Sequence, residues 1–223
     1  MIKKRLPPLF QEINQSSPVN NTPFNLGHCI YSSVANANEF NNFPGLDYNP
    51  NMYPPQEELF RDNIILSLHK LFKHCINPIL ERFGSNLALT SVYRNKRVNN
   101  LLGGVENSQH IYGYAADMVF YDGTPSSYLF NWCKLYIPHY HQLIWEYPER
   151  GDFSPFDFYK AENTLGGGVV RIADPGLTTN SKFSWVHISY IEGNNQKTNS
   201  VSSTDPKIHK AYRNSKSKNT RIK

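Results

Sequence analysis

His110 and Asp117 lie seven positions apart across one glycine, Gly113, in the run Ser108-Gln-His-Ile-Tyr-Gly-Tyr-Ala-Ala-Asp117. An imidazole and a carboxylate at that spacing can serve one divalent ion if His110 ends an extended piece, Gly113 turns the backbone and Asp117 opens a strand. The best third donor is His187, because period-two alternation in Trp185-Val-His-Ile-Ser-Tyr-Ile191 puts Trp185, His187, Ser189 and Ile191 on one face. Two imidazoles and one carboxylate leave a tetrahedral zinc with an open fourth position, the arrangement of catalytic sites. Taken singly, each has a plainer use: His110 as a cap for backbone groups, Asp117 as a turn acid.

Other polar groups can reach the same place. Arg94 follows the strand pattern of Leu87–Tyr93, at whose end a side chain projects into a cleft. Gly103-Gly104 lets the backbone swing close. In the strand Tyr140–Tyr147, Gln142, Ile144 and Glu146 share a face, so Glu146 can meet the two histidines. Arg94 and Glu146 could equally form an ion pair across the cleft. His28 reads as a surface or packed histidine, and His69 and His74 as solvent-facing, not ligands.

Helices must hold these strands. From Arg61 the apolar period becomes helical, with Ile64, Ile65, Leu68, Leu71, Phe72 and Cys75 on one side and Asp62 or Asn63 as cap. Pro78 should kink or split this helix and Gly84 should end it. Asn95 caps a short helix through Leu102, and Pro125-Ser-Ser starts another over Ser126–Leu135. Residues 1–55, rich in Asn and Pro, read as an extended arm with an ordered portion around 24–45. The compact domain spans 56–193, with 148–183 as an inserted hairpin or lid, and 194–223 reads as a basic, disordered tail.

The whole chain, 223 residues with 39% hydrophobic content, suits one domain. Its net charge of +5 is concentrated past Gly193, where eight Lys and Arg face only Asp205. No aromatic-basic interleaving accompanies that charge, so nucleic-acid binding is not expected. Three scattered cysteines form neither a disulfide framework nor a thiolate zinc site. No run is long enough for a membrane span. Lys3-Lys-Arg5 is followed by Leu6-Pro-Pro with no apolar h-region, so the chain reads as made in the cytoplasm without a signal peptide.

Ser91-x-Tyr-Arg94, Asn99 before Gly103-Gly104, the Ser108–Asp117 run, Gln142-Leu-Ile-x-Glu146 and Trp185-Val-His187 together resemble the zinc D-Ala-D-Ala carboxypeptidase family. That family includes phage endolysin-type L-alanyl-D-glutamate peptidases and vancomycin-resistance dipeptidases. The resemblance implies an α+β fold, a small mainly antiparallel sheet backed by helices, with a Hedgehog/D-Ala-D-Ala peptidase-like zinc cleft. By the same likeness His110, Asp117 and His187 hold one Zn2+, Arg94 neutralises substrate charge, and Ser108 and Trp185 contact the substrate, the peptide stems of bacterial peptidoglycan. Relatives often carry an acid three positions before the last histidine; here that position is Ser184, so the general base is expected to be Glu146. The site of action implied is the cell wall, after release or as part of a phage particle. A different class of reading is a phage virion or binding protein that keeps the fold, docked to other particle proteins, without activity.

Overall fold

The computed structural model describes residues 19, 24, 26–39, 42–43, 55–152, 171–172, 183–194 and 197–203. Its centre is one sheet of strands β1 (Leu87–Ser91), β2 (Ala115–Phe120), β3 (Gln142–Glu146), β4 (Arg171–Ile172), β5 (Trp185–Ser189) and β6 (Thr198–Ser202), in the order β4-β1-β2-β5-β3-β6. The four central strands pair antiparallel, and the outer strands β4 and β6 join in parallel.

Alternation divides the sheet. Leu89, Met118, Phe120, Leu143, Val186 and Ile188 point to one face and form the main core with the helices. The opposite face receives Asp117, His187, Ile144 and Glu146, because Asp117 pairs with His187 and His187 with Ile144. A bulge between Leu89 and Ser91 shifts the register of β1 so that Ser91, not Thr90, stands opposite Asp117.

The apolar stripe read from the sequence is the helical half of this core: Leu68, Leu71, Phe72, Cys75, Ile76 and Ile79 are fully buried. Helix α3 (Pro55–Leu71) runs into a π-turn at Phe72–Ile76 and then α4 (Asn77–Phe83). Pro78 lies within the first turn of α4, just after the π-turn. That wider turn, in which the Asn77 N–H donates to the Phe72 carbonyl, absorbs the missing proline donor where a full break was one expectation. Asn95 caps α5 (Lys96–Leu101), its Oδ1 accepting from the Val98 N–H at 2.8 Å, and α6 (Ser126–Tyr136) backs β3.

Three features differ from the sequence reading. His110 does not end an extended piece; it lies in a single 3-10 turn, Gln109–Tyr112, closed by Gly113 in the left-handed region. Second, the portion around 24–45 that was expected to be ordered is helical, which was not foreseen: it forms α1 (Leu26–Ile30) and α2 (Ser33–Ala37) and packs Phe24, Leu26, Cys29 and Phe43 into the core. Rings anchor them: Phe24 meets Phe72 edge-on at 5.8 Å and Phe43 meets Tyr93 at 5.2 Å. Third, the chain continues past Gly193 into β6, whose backbone pairs along all of β3. Most of the insertion at 148–183, and everything beyond 203, lies outside the described residues. His69 and His74 are half-buried where solvent exposure was expected, and His74 stacks on Tyr190 at 4.4 Å.

Gly113 has to be glycine for two reasons. Its φ is +68°, and a Cβ there would lie 2.8 Å from the Ile64 carbonyl oxygen on α3. Gly113→Ala is therefore expected to destabilise the chain by at least about 1–3 kcal/mol in urea unfolding; unchanged stability would contradict this packing.

Candidate metal centre

His110 comes from the 3-10 turn, Asp117 from the middle of β2 and His187 from the middle of β5. Their donor atoms converge. His110 Nε2 is 3.2 Å from His187 Nδ1 and 3.2 Å from Asp117 Oδ1, and His187 Nδ1 is 2.9 Å from the same oxygen. A tetrahedral ion with bonds of about 2.0–2.1 Å sets its ligand atoms about 3.3 Å apart, so this triangle has the size of one face of such a site.

The hydrogen bonds around the cluster say which lone pairs face inward. His110 Nδ1 is 2.6 Å from the Val92 carbonyl, which can only accept, so this nitrogen carries the hydrogen and Nε2 is bare. His187 meets an acceptor at each nitrogen, Asp117 Oδ1 at 2.9 Å from Nδ1 and Gln109 Oε1 at 3.2 Å from Nε2, so a metal held at Nδ1 would leave the ring's hydrogen on Nε2, against Gln109. A bare imidazole nitrogen, a carboxylate oxygen and His187 Nδ1 thus meet in a buried spot, a donor set that suits a cation. Among the described residues this is the one group of three or more His, Cys, Asp or Glu able to hold a metal ion.

Electrostatics agree. Burial, with the nearby Arg94 guanidinium, pushes the His110 pKa down to about 4, so its ring is neutral near pH 7. Burial alone would raise Asp117, but the two neighbouring imidazoles, His110 and His187, outweigh it and hold the group below the ordinary carboxylate range. His110 therefore binds fewer protons in the native chain than in the unfolded one between about pH 4 and 6.5. Its contribution to stability is full above 6.5 and is lost as pH falls to about 4, about 3 kcal/mol in all. Glu146, raised by burial, acts in the opposite sense from 4.5 upward. The check is urea unfolding of chelator-treated protein at pH 4.5 and 7: the native His110 chain should gain more stability over that interval than a His110→Gln chain.

A cleft of ≈ 500 Å³ opens on the cluster, and every candidate site residue lines it. Arg94 Nη2 lies 3.8 Å from Asp117 Oδ2, and its Nε has no hydrogen-bond partner among the described residues. Asn42, outside the sequence reading, steadies this arginine: its side chain donates to the Tyr93 carbonyl at 3.0 Å and accepts from the Asn95 N–H at 2.9 Å. Ser108 leads into the 3-10 turn and is buried.

Glu146 pairs with Trp185 on β5, which makes it the diagonal neighbour of His187, about 7–8 Å away along the backbone. Burial raises its pKa, against the lowering effects of His187, a Ser202 hydrogen bond and Arg94. Its interactions involve His187, Asp117 and Arg94 together, so it is no simple partner of Arg94. Ser184 is buried outside the cleft, its N–H bonded to the Gly151 carbonyl and its own carbonyl accepting from Ser126.

Several cleft residues escaped the sequence reading. Tyr147 follows Glu146 with φ of +49°, uncommon for a tyrosine. Its ring lies 5.2 Å from that of Trp185 and 3.7 Å beneath the Arg150 guanidinium, making one wall. Gln109 and His141 stand behind the histidines. Gln109 sits beside His110, which was its only local signal; its contact with His187 spans 78 residues. A second cavity of ≈ 470 Å³, between α3 and Tyr190, is lined by none of the cluster residues.

Residues 55–140 match the family model described as Peptidase M15. That span holds Arg94, Ser108, His110 and Asp117, while Glu146, Trp185 and His187 lie beyond it. No curated protein and no solved structure matches the chain.

Proposed function

We propose, from the match of residues 55–140 to the Peptidase M15 family model, a family of zinc metallopeptidases, that the chain is a hydrolase that cuts an amide bond in the peptide stems of bacterial peptidoglycan at the His110–Asp117–His187 centre. The observation that carries this reading is the triangle of metal-donor atoms, 2.9–3.2 Å on its edges, at the floor of a cleft that also holds a half-buried arginine and a half-buried glutamate.

The two imidazoles and the carboxylate fit one Zn2+, a borderline ion served well by nitrogen and oxygen donors. When bound, the ion supplies the Lewis acidity that makes water a nucleophile near neutral pH and polarises a carbonyl. Arg94, half-buried and permanently charged, binds the substrate's carbonyl oxygen or its terminal carboxylate through planar N–H donors. Glu146, its pKa raised towards the working range, takes the proton from the attacking water as that oxygen bonds the carbonyl carbon. The same carboxyl then gives the proton to the leaving amine as the C–N bond breaks, which returns Glu146 to its starting form. Ser108 hydrogen-bonds the substrate, and the Trp185–Tyr147 wall packs against its side chains.

The test is the purified chain, loaded with Zn2+, on defined stem peptides with and without chelator, the products identified by mass. Chelator-sensitive release of terminal D-Ala marks a carboxypeptidase, and internal cleavage an endopeptidase. A Zn2+-loaded chain that leaves every stem peptide intact sinks the proposal.

A further inference from the structure

We infer that Gln109, backed by His141, is a positioning residue that holds His187 in the tautomer presenting Nδ1 to the metal. The inference rests on the reading of His187 as a ligand. It goes beyond that reading by assigning the outer partner that orients the ring.

A neutral imidazole has one bare nitrogen, and which one it is depends on what the other can donate to. The His187 ring meets Asp117 Oδ1 at Nδ1 (2.9 Å) and Gln109 Oε1 at Nε2 (3.2 Å). Both are acceptors, so with Gln109 absent the hydrogen has a partner only at Nδ1, against the carboxylate, on the donor atom the metal needs. Gln109 offers it an acceptor at Nε2 instead only if its amide oxygen, not its NH2, faces His187. His141 suits this orientation: Gln109 Nε2 lies 2.8 Å from His141 Nδ1, and with that nitrogen bare the amide N–H donates to its lone pair.

His141 is itself anchored by the sheet. Its N–H donates to the Ser189 carbonyl at 2.7 Å, and its own carbonyl accepts from the Thr198 N–H at 3.1 Å and the Thr198 hydroxyl at 2.8 Å. The chain of hydrogen bonds therefore runs from β6 through His141 and Gln109 to His187, while the next residue in the turn, His110, is a donor of the cluster. Movement of that 3-10 turn would disturb one ligand directly and a second through its outer partner.

Outer partners of metal-bound histidines typically account for about 10- to 100-fold in metal affinity. Zn2+ affinity of the full-length chain, measured by competition with a chelator of known strength, should fall by that factor in Gln109→Met, which keeps the bulk but cannot accept. Gln109→Glu keeps an acceptor oxygen and should hold affinity within about threefold of the parent. Affinity for Zn2+ unchanged in Gln109→Met, or lost equally in Gln109→Glu, overturns the inference, whatever happens to turnover. Nitrogen-15 NMR of the Zn2+-loaded parent chain supplies a second arm that needs no variant to fold. It should show His187 with its hydrogen on Nε2 and Nδ1 bound to the metal; the reverse refutes the assignment while leaving His187 a ligand. A parent that takes up no Zn2+ fails the metallopeptidase reading, and this inference with it.

Discussion

Replacing His187 with alanine is expected to abolish both metal uptake and hydrolysis while leaving the chain folded. His187 supplies one of three donor atoms from the middle of a buried strand, and losing an inner ligand must cost more than losing an outer partner, so Zn2+ affinity should fall by more than about 100-fold. The fold tolerates the loss because the main core lies on the opposite face of β5, where Val186 and Ile188 remain packed. The readout does not depend on activity. A site filled at about a thousand times its dissociation constant stabilises the native chain by about 4 kcal/mol, which for a chain of this size raises the thermal midpoint by roughly 8–16 °C. Zn2+ should produce that rise in the parent and none in His187→Ala. A full shift in the variant would remove His187 from the ligand set.

Glu146→Gln is expected to lower kcat by about 10²- to 10⁴-fold, the usual contribution of a positioned general base, with Zn2+ affinity within a few-fold of the parent. The amide preserves the shape of the carboxyl and can still meet Ser202, but it cannot accept and return a proton. Glu146 is not one of the three converging donors, so the metal should stay. Burial raises the carboxyl's pKa, so the acidic limb of kcat/KM in the parent should lie above the ordinary carboxylate value of 4.5. Undiminished turnover in Glu146→Gln would transfer the proton role elsewhere; loss of metal with loss of turnover would make Glu146 a ligand. Ser184 is a poor substitute, because its position is buried away from the cleft.

Local patterns were legible where a short stretch of chain acts by itself. The stripe from Ile64 to Cys75 became the helical core, and Asn95 caps the helix it precedes. Alternation put Glu146 on the face of β3 that β5 turns towards the cleft. Order around residues 24–45 was legible, but its two short helices were not, because Asn and Pro content outweighed a few aromatic anchors, and Asn42 gains its role only by meeting Ile30, Tyr93 and Asn95. Strand β6 left little trace because only Val201 in it is buried; its pairing comes from backbone groups, which every sequence carries.

Residue type and spacing, by themselves, determined that two imidazoles and a carboxylate were available and that a glycine lay between two of them. Tertiary structure decided that their donor atoms meet within 3.2 Å. That meeting depends on strand register: slipping β5 by one residue against β2 would turn His187 into the core and bring Ile188 or Val186 to the cleft. Register and the Gln109–His141 contact arise from pairings between distant parts of the chain, and no local pattern of residues records them.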